Sequence, residues 1–290
     1  MTPPRGDTAV DEALIPLMRS VAREAAVAAG RVIRGSFGKP PQVEQALPHD
    51  LKLWLDRAAE SEILRVIRTN LPGHAVLSEE RGFEPGLEPF LWIVDPLDGT
   101  VNFHHEIPFF CTSVACYEIG GPAPSNGRSG APFGHLLPDG RSLGAPLVGV
   151  VYDPLRDELF AGTAGREASL NRAPLLTPET MRLDESVVAL SFAAREDSIE
   201  YMSRALPVFT RGARKVRSFG STALDMAHVA AGRLGAFVQK GTNLWDFAAA
   251  AIVVKAAGGM VDIQEYQPGR FRVIASAEGI FEQVRGQAEP

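Results

Sequence analysis

Residues 247–254 carry no polar side chain on any face of a helix. A helix that is apolar all round is a buried helix. The rest of the chain therefore has to enclose this segment. At 290 residues, 45% hydrophobic and 22% charged, the chain is long enough to bury a sizeable core. At about 150 residues per domain, this length suggests two domains or one two-lobed unit. The surrounding stretch 244–257 contains Asp246 and Lys255, so no uninterrupted apolar run of the roughly 18 residues that span a membrane is expected.

The segments around it suggest layers. After Leu183, strand-like residues 187–190 precede helix-like 198–209. Strand-like 215–217 precede helix-like 222–231, and strand-like 236–239 precede the apolar helix. Such alternation predicts stacked sheets and helices. Earlier, Leu14, Leu17, Met18, Val21, Ala25, Ala28 and Val32 recur at helical spacing, with Pro16 in the first turn and Gly35 and Gly38 as stops. A second helix is expected over 56–69, with Ala59, Ile63, Leu64 and Ile67 on one face and Leu71-Pro72-Gly73 ending it. Residues 75–77, 91–94, 112–118, 147–152 and 158–161 read as strands. Residues 1–10 read as a frayed tail. The Gly- and Pro-rich stretch 120–146 reads as a long surface loop between two strands. A composition shift near 171–184 divides the chain into an N-terminal α+β lobe, 1–182, and a C-terminal α/β lobe, 183–290.

Charge and cysteine content narrow the function classes. The net charge of −6 offers no general basic field, so no nucleic-acid polymer is expected as partner. The one basic cluster, Arg211 to Arg217, reads as a solvated face. The first residues lack a basic start followed by an apolar run, so no signal peptide is expected. Cys111 and Cys116 do not make a disulfide framework, and read as reduced thiols of a cytoplasmic protein.

Carboxylates stand at the ends of several apolar segments. Glu79-Glu80 follow one strand, Asp95-Pro96-Leu97-Asp98-Gly99-Thr100 follow another, Asp246 opens the apolar helix and Asp56 opens the second helix. Two carboxylates three residues apart, turned by Pro96, can converge on one point. Gly99 lets the backbone approach a ligand closely. Oxygen donors of this kind bind hard cations, and free N–H groups after Gly99 bind a phosphate. Asp and Glu without accompanying Cys or His favour Mg²⁺ or Mn²⁺ over Zn²⁺. By itself, Asp246 equally suits a first-turn acid facing the helix dipole.

The run Asp95-Pro-Leu-Asp-Gly-Thr-Val-Asn-Phe103 resembles the first signature of the inositol monophosphatase family. Leu244-Trp245-Asp246, followed by Ala248 and by Ala256-Ala257-Gly258-Gly259, resembles the second. Glu79-Glu80 match the family's paired glutamates. Gly149-Val-Val-Tyr-Asp-Pro and Asn171-Arg-Ala-Pro-Leu match its intervening strand and turn. The resemblance runs from about residue 15 to 281. It implies a layered αβαβα sandwich, in α+β or α/β class terms, and a Mg²⁺-dependent, lithium-sensitive phosphomonoesterase that is commonly a homodimer.

Carried over residue by residue, the resemblance implies two or three Mg²⁺ ions, with Mn²⁺ as a substitute. Glu79, Asp95 and the Leu97 carbonyl would hold one ion, and Asp95, Asp98 and Asp246 another. Asp56 and Thr100 would form a hydrogen-bonded pair that activates water, with Glu79 nearby. Gly99 and Thr100 would contact the phosphate; Gly220, Ser221 and Thr222 would contact the sugar or cyclitol, joined by Gln239. The implied substrate is a small phosphorylated polyol or sugar, most simply inositol monophosphate. Fructose 1,6-bisphosphate and 3′-phosphonucleotides are the same-family alternatives. Two positions depart from the family pattern. Lys52-Leu-Trp54-Leu-Asp56 stands where V-T-x-x-D is common, and Gln239-Lys240 stands where inositol-selective members carry Glu. Lys240 is therefore a candidate contact for a second phosphate. The two-residue separation of Asp95 and Asp98 does not fit an aspartyl-nucleophile D-x-D motif, and the intact carboxylate set gives no support to a non-enzymatic scaffold.

Overall fold

The computed structural model describes residues 13–39, 43–47, 50–122 and 135–289. Its first layer is two helices, α1 (Leu14–Ser36) and α2 (Trp54–Asn70). A hairpin of β1 (Val43–Leu47) and β2 (Asp50–Leu53) lies between them in sequence. The second layer is an eight-stranded sheet. It contains β3 (Ala75–Ser78), β4 (Gly82–Glu84), β5 (Phe90–Asp98), β6 (Cys111–Pro122), β7 (Arg141–Asp153), β8 (Glu158–Thr163), β9 (Ala168–Leu170) and β10 (Ala173–Leu175), in the order β10-β9-β8-β7-β6-β5-β3-β4. A short helix, α3 (Thr100–His104), follows β5.

Strand alternation builds the next contacts. Trp92, Val94, Val114, Cys116, Val148 and Val150 face α1 and α2, while Leu91, Ile93, Ala115, Tyr117 and Val151 face the other way. On that second face lie α5 (Thr222–Ala230) and α6 (Leu244–Ala256). The fourth layer is a five-stranded sheet of β11 (Val187–Phe192), β12 (Lys215–Arg217), β13 (Ala236–Thr242), β14 (Met260–Gln267) and β15 (Arg270–Ser276), ordered β12-β11-β13-β15-β14. Ala189, Phe237, Phe271, Val273 and Ala275 of this sheet share the core around α5 and α6. Its outer face packs on α4 (Glu196–Gly212) and α7 (Phe281–Ala288) through Val188, Leu190, Val238, Tyr201, Phe209 and Val284. The result is the expected αβαβα sandwich, with the all-apolar helix α6 in the middle layer.

One close approach fixes where α6 sits. Gly149 of β7 and Gly162 of β8 are register partners. A Cβ at Gly149 would lie 2.4 Å from the Ala249 carbonyl oxygen, and one at Gly162 would lie 2.8 Å from Val253 Cα. The paired glycines form a trough in which the helix backbone rests directly on the sheet.

Several expectations need correction. The 120–146 stretch is not a loop throughout: β6 runs to Pro122 and β7 begins at Arg141, while 123–134 lie outside the described residues, as do 1–12. β5 does not stop at Val94 but continues through Asp98. On α1, Leu17 is exposed and the buried stripe is carried by Met18, Val21 and five alanine or glycine positions nearby. Cys111 and Cys116 are both buried free thiols, on opposite faces of the sheet. Arg211, Arg214, Lys215 and Arg217 are exposed, as expected for a solvated face. Among the described residues no helix is long and apolar enough to cross a membrane.

Two histidines make the fold acid-sensitive. His74 Nδ1 accepts the indole N–H of buried Trp92 at 3.1 Å, which requires a neutral ring. Burial lowers the His74 pKa from 6.5 to about 4, and burial beside Arg233 does the same for His228. Because these folded values lie below the ordinary one, the unfolded chain binds protons first. Each ring's contribution to stability is intact above 6.5 and is lost as pH falls toward about 4. NMR titration of the imidazole Cε1–H signals will give midpoints near 4 for both rings; midpoints near 6.5 would contradict their burial.

Candidate active site

Parallel pairing of β3 and β5 puts the ends of both strands side by side. Ser78 is opposite Val94, and the Glu79 amide donates to the Val94 carbonyl at 3.3 Å. Glu79 thus emerges next to Asp95. In a regular strand Asp95 and Asp98, three residues apart, would point to opposite faces. The β5–β6 register shifts between these two residues, a bulge that re-aims the second carboxylate. Gly99 then takes φ +98 and caps α3; a Cβ there would lie 3.1 Å from the Phe109 carbonyl oxygen and from Phe110 Cβ. Only glycine combines that left-handed backbone with that clearance.

The second half of the chain closes on Asp98. Asn102 donates to the carbonyls of Phe109 and Phe219, at 2.8 and 2.7 Å, and so docks the start of α5 against α3. Ser221 Oγ and the Ala223 amide then donate to Asp98 Oδ2 at 2.7 and 2.6 Å. From α6, Asp246 Oδ2 accepts the Thr242 hydroxyl at 2.6 Å and the Asn243 amide at 2.8 Å. Asp246 therefore does act as a first-turn capping acid, in addition to standing beside Asp98.

Glu79, Asp95, Asp98 and Asp246 are brought together, and their electrostatics report it. Burial, then the charges of Glu79, Asp98 and Asp246, hold the Asp95 carboxyl well above the usual carboxylate range. Burial, then Asp246, pushes Asp98 up to about 7 against the hydrogen bonds from Ser221, Ala223 and Thr222. Burial also raises Asp246. Among the described residues no three His, Cys, Asp or Glu already close into a cage for an ion. The bonds that fix Asp98 and Asp246 fall on the Oδ2 atoms.

Other expected residues fall differently. The Thr100 hydroxyl donates to the Leu97 carbonyl at 2.9 Å. Asp56 is buried in the first turn of α2. Ser221, expected at the sugar, donates its hydroxyl to Asp98. Thr222 Oγ1 donates to Gln239 Oε1 at 2.7 Å, both side chains being buried, and Gly220 is exposed. Lys240 is on the opposite face of β13 from Gln239. Its ammonium sits over the Tyr266 and Tyr201 rings at 4.7 and 5.6 Å. Trp54 is exposed, whereas the Lys52 side chain lies outside the described residues. His104 and His105 pack ring against ring at 4.9 Å. Sequence reasoning passes over Asp225, a fully buried carboxylate on α5 that feels the charge of Asp98. Its only signal is an acid within the apolar run Ala223-Leu224-Asp225-Met226-Ala227.

Residues 17–125 and 142–287 match the profile described as the inositol monophosphatase family. The chain belongs to the inositol monophosphatase family. The chain is 37% identical to an inositol-1-monophosphatase of Synechocystis sp. over 253 residues, covering 86% of this chain and 79% of that one. It is 35% identical to the Nus factor SuhB of Escherichia coli over 249 residues, covering 84% of each. Among solved structures, the extragenic suppressor protein suhB from Bartonella henselae superposes with a TM-score of 0.80 at 30% identity, covering 94% and 98% of the two chains. Inositol monophosphatase from Anabaena (Nostoc) sp. superposes with a TM-score of 0.73 at 31% identity, covering 94% and 95%. As a member of this family the protein is a phosphoric monoester hydrolase. The bulged β5 end with Gly99 and the opening of α6 are its two family signatures, folded against each other.

Proposed function

We propose that this phosphatase is Mg²⁺-dependent and hydrolyses a small phosphorylated polyol, with inositol monophosphate as its substrate. One observation carries the reading: Glu79 after β3, Asp95 and Asp98 of β5 and Asp246 of α6 come to one place, where burial and neighbouring carboxylates hold Asp95 and Asp98 above their ordinary range and burial raises Asp246. Such a cluster is unfavourable when ionised unless a cation enters it. An all-oxygen donor set suits a hard divalent cation, with Mn²⁺ as a substitute for Mg²⁺.

In this proposal Glu79, Asp95 and the Leu97 carbonyl hold one ion, and Asp95, Asp98 and Asp246 hold another. When bound, such ions lower the pKa of a water and stabilise charge on the leaving oxygen. The protein's own groups do the positioning. Thr100 keeps its proton on Leu97, so its oxygen lone pairs remain to accept a hydrogen from the attacking water. Asp56 and Glu79 orient that water and take up its proton. The backbone of Gly99 and Thr100, where no Cβ intrudes at Gly99, faces the phosphate. Asp98 and Asp246 border the ester oxygen. Gly220, Thr222 and Gln239 border the polyol, and Ser221 acts on it through Asp98. Gln239, unlike an ionised Glu, both donates and accepts to hydroxyls. The 1–182 lobe supplies most ligands and the 183–290 lobe supplies Asp246 and the polyol contacts. We place the working protein in the cytoplasm as a homodimer sensitive to Li⁺.

Phosphate release from inositol 1-phosphate, fructose 1,6-bisphosphate and 3′-phosphoadenosine 5′-phosphate tests the substrate. The reading predicts the highest kcat/KM for inositol 1-phosphate, with suppression by Li⁺. A higher value for either of the other two would reassign the substrate.

A further inference from the structure

Arg270 opens β15 directly after the turn Pro268-Gly269, with Gln267 of β14 as its register partner. Gly269 takes φ +69 there, and its amide donates to Glu265 Oε1 at 2.7 Å, so the turn is held from within the hairpin. Across from it, the register of β13 and β15 shifts between Lys240 and Thr242, where Gly241 takes φ +95. Beyond this bulge stands Asn243, the N-cap of α6, within reach of Arg270.

The contact between them settles a detail of the site. Arg270 Nη1 donates to Asn243 Oδ1 at 2.5 Å. A guanidinium has no acceptor, so the Asn243 amide must turn its oxygen to Arg270 and its nitrogen away. That nitrogen, Nδ2, donates to Asp246 Oδ2 at 3.3 Å. Asp246 Oδ2 therefore receives three donors: the Thr242 hydroxyl at 2.6 Å, the Asn243 backbone amide at 2.8 Å and Nδ2. With the side-chain amide turned over, its oxygen would face Oδ2, acceptor against acceptor. None of these bonds falls on Asp246 Oδ1.

Charge and geometry give Arg270 effects of opposite sign. Among the described residues its guanidinium has no ion-pair partner, and its charge is felt at Asp246, where it opposes the upward push of burial. By charge alone, a guanidinium repels a divalent cation held by Asp246, and its loss would tighten metal binding. By geometry, its loss frees the Asn243 amide and loosens the carboxylate, which weakens metal binding. The short bond to Asn243 and the three donors on one oxygen favour the second. Resting on the reading that Asp246 is a metal ligand, we propose that Arg270 is a positioning residue: it locks the Asn243 amide so that Asp246 is held by Oδ2 and presents Oδ1 to the ion.

Electron paramagnetic resonance of free Mn²⁺, titrated into the metal-stripped full chain, tests this without turnover. Arg270→Met, which keeps the apolar stem, should weaken one class of Mn²⁺ site by about tenfold, as loss of an outer partner of a metal ligand does. Arg270→Lys, which can still donate to Asn243 Oδ1, should stay within about threefold of the parent. Asn243→Ala should weaken the same site at least as much as Arg270→Met. Adding Arg270→Met to Asn243→Ala should change nothing further, because the two residues act in series. Asp246→Asn should lose that site altogether. If Asp246→Asn keeps every Mn²⁺ site, Asp246 is not a ligand, and the functional reading of Asp246 falls together with the proposal. If Asp246→Asn loses a site while Arg270→Met binds Mn²⁺ as tightly as the parent or more tightly, the proposal alone is overturned. Additive losses in the double variant would also overturn it. Unchanged affinity with a lower metal-free melting temperature in Arg270→Met would overturn it as well, and would confine Arg270 to capping α6.

Discussion

Asp98→Asn should lower kcat/KM for phosphate release by at least about a hundredfold, since losing even an outer partner of a metal ligand costs about 10–100-fold. The amide keeps the shape of the carboxylate. Its oxygen can still accept from Ser221 and from the Ala223 amide, the two bonds that fix Asp98 at the start of α5. What disappears is one negative charge in a place where Asp95 and Asp246 already repel it. The metal-free variant should therefore melt no lower than the metal-free parent, while losing most of the stabilisation that Mg²⁺ gives the parent. Thermal unfolding in chelator and in excess Mg²⁺ separates the two effects. A variant that is both active and stabilised by Mg²⁺ like the parent would remove Asp98 from the ligand set.

The second large effect is on the fold. Gly149→Val should cost at least about 3 kcal/mol, the upper end of overpacking penalties, because the obstacle is backbone. The new Cβ would meet the Ala249 carbonyl oxygen at 2.4 Å, and Gly162 already uses the neighbouring position for the same helix. α6 cannot retreat, since Phe271, Val273 and Ala275 of the second sheet share the same core. Urea unfolding followed by circular dichroism should show a lower midpoint at unchanged slope. A midpoint equal to the parent's would mean that α6 does not rest on the sheet at this pair.

The layers were legible because their signals were local. The apolar run 247–254 required a buried helix. The change from helical to strand period marked β3, β5, β6, β7 and β8, and the later alternation marked β11 to α6. β9 and β10 are only three residues each, too short for a period. β14 is an edge strand with no fully buried residue, and its alternation is confined to the four residues Val261-Asp262-Ile263-Gln264. Of the site, the carboxylates were visible as acids at the ends of apolar runs. Their partners were not: that Ser221 holds Asp98, or that Thr222 meets Gln239, depends on how Asn102 docks α5 against α3. Lys240 shows the same limit. Neighbouring Gln239 in sequence, it lies on the other face of β13, against two tyrosines.

The central claim is that the buried carboxylates work by holding divalent cations. Its most direct test is the rate of phosphate release from inositol 1-phosphate by protein first stripped with EDTA, measured as free Mg²⁺ is raised. The account predicts no turnover without the metal, saturable recovery with Mg²⁺ and partial recovery with Mn²⁺. Full turnover in EDTA, unchanged by added Mg²⁺, would contradict it.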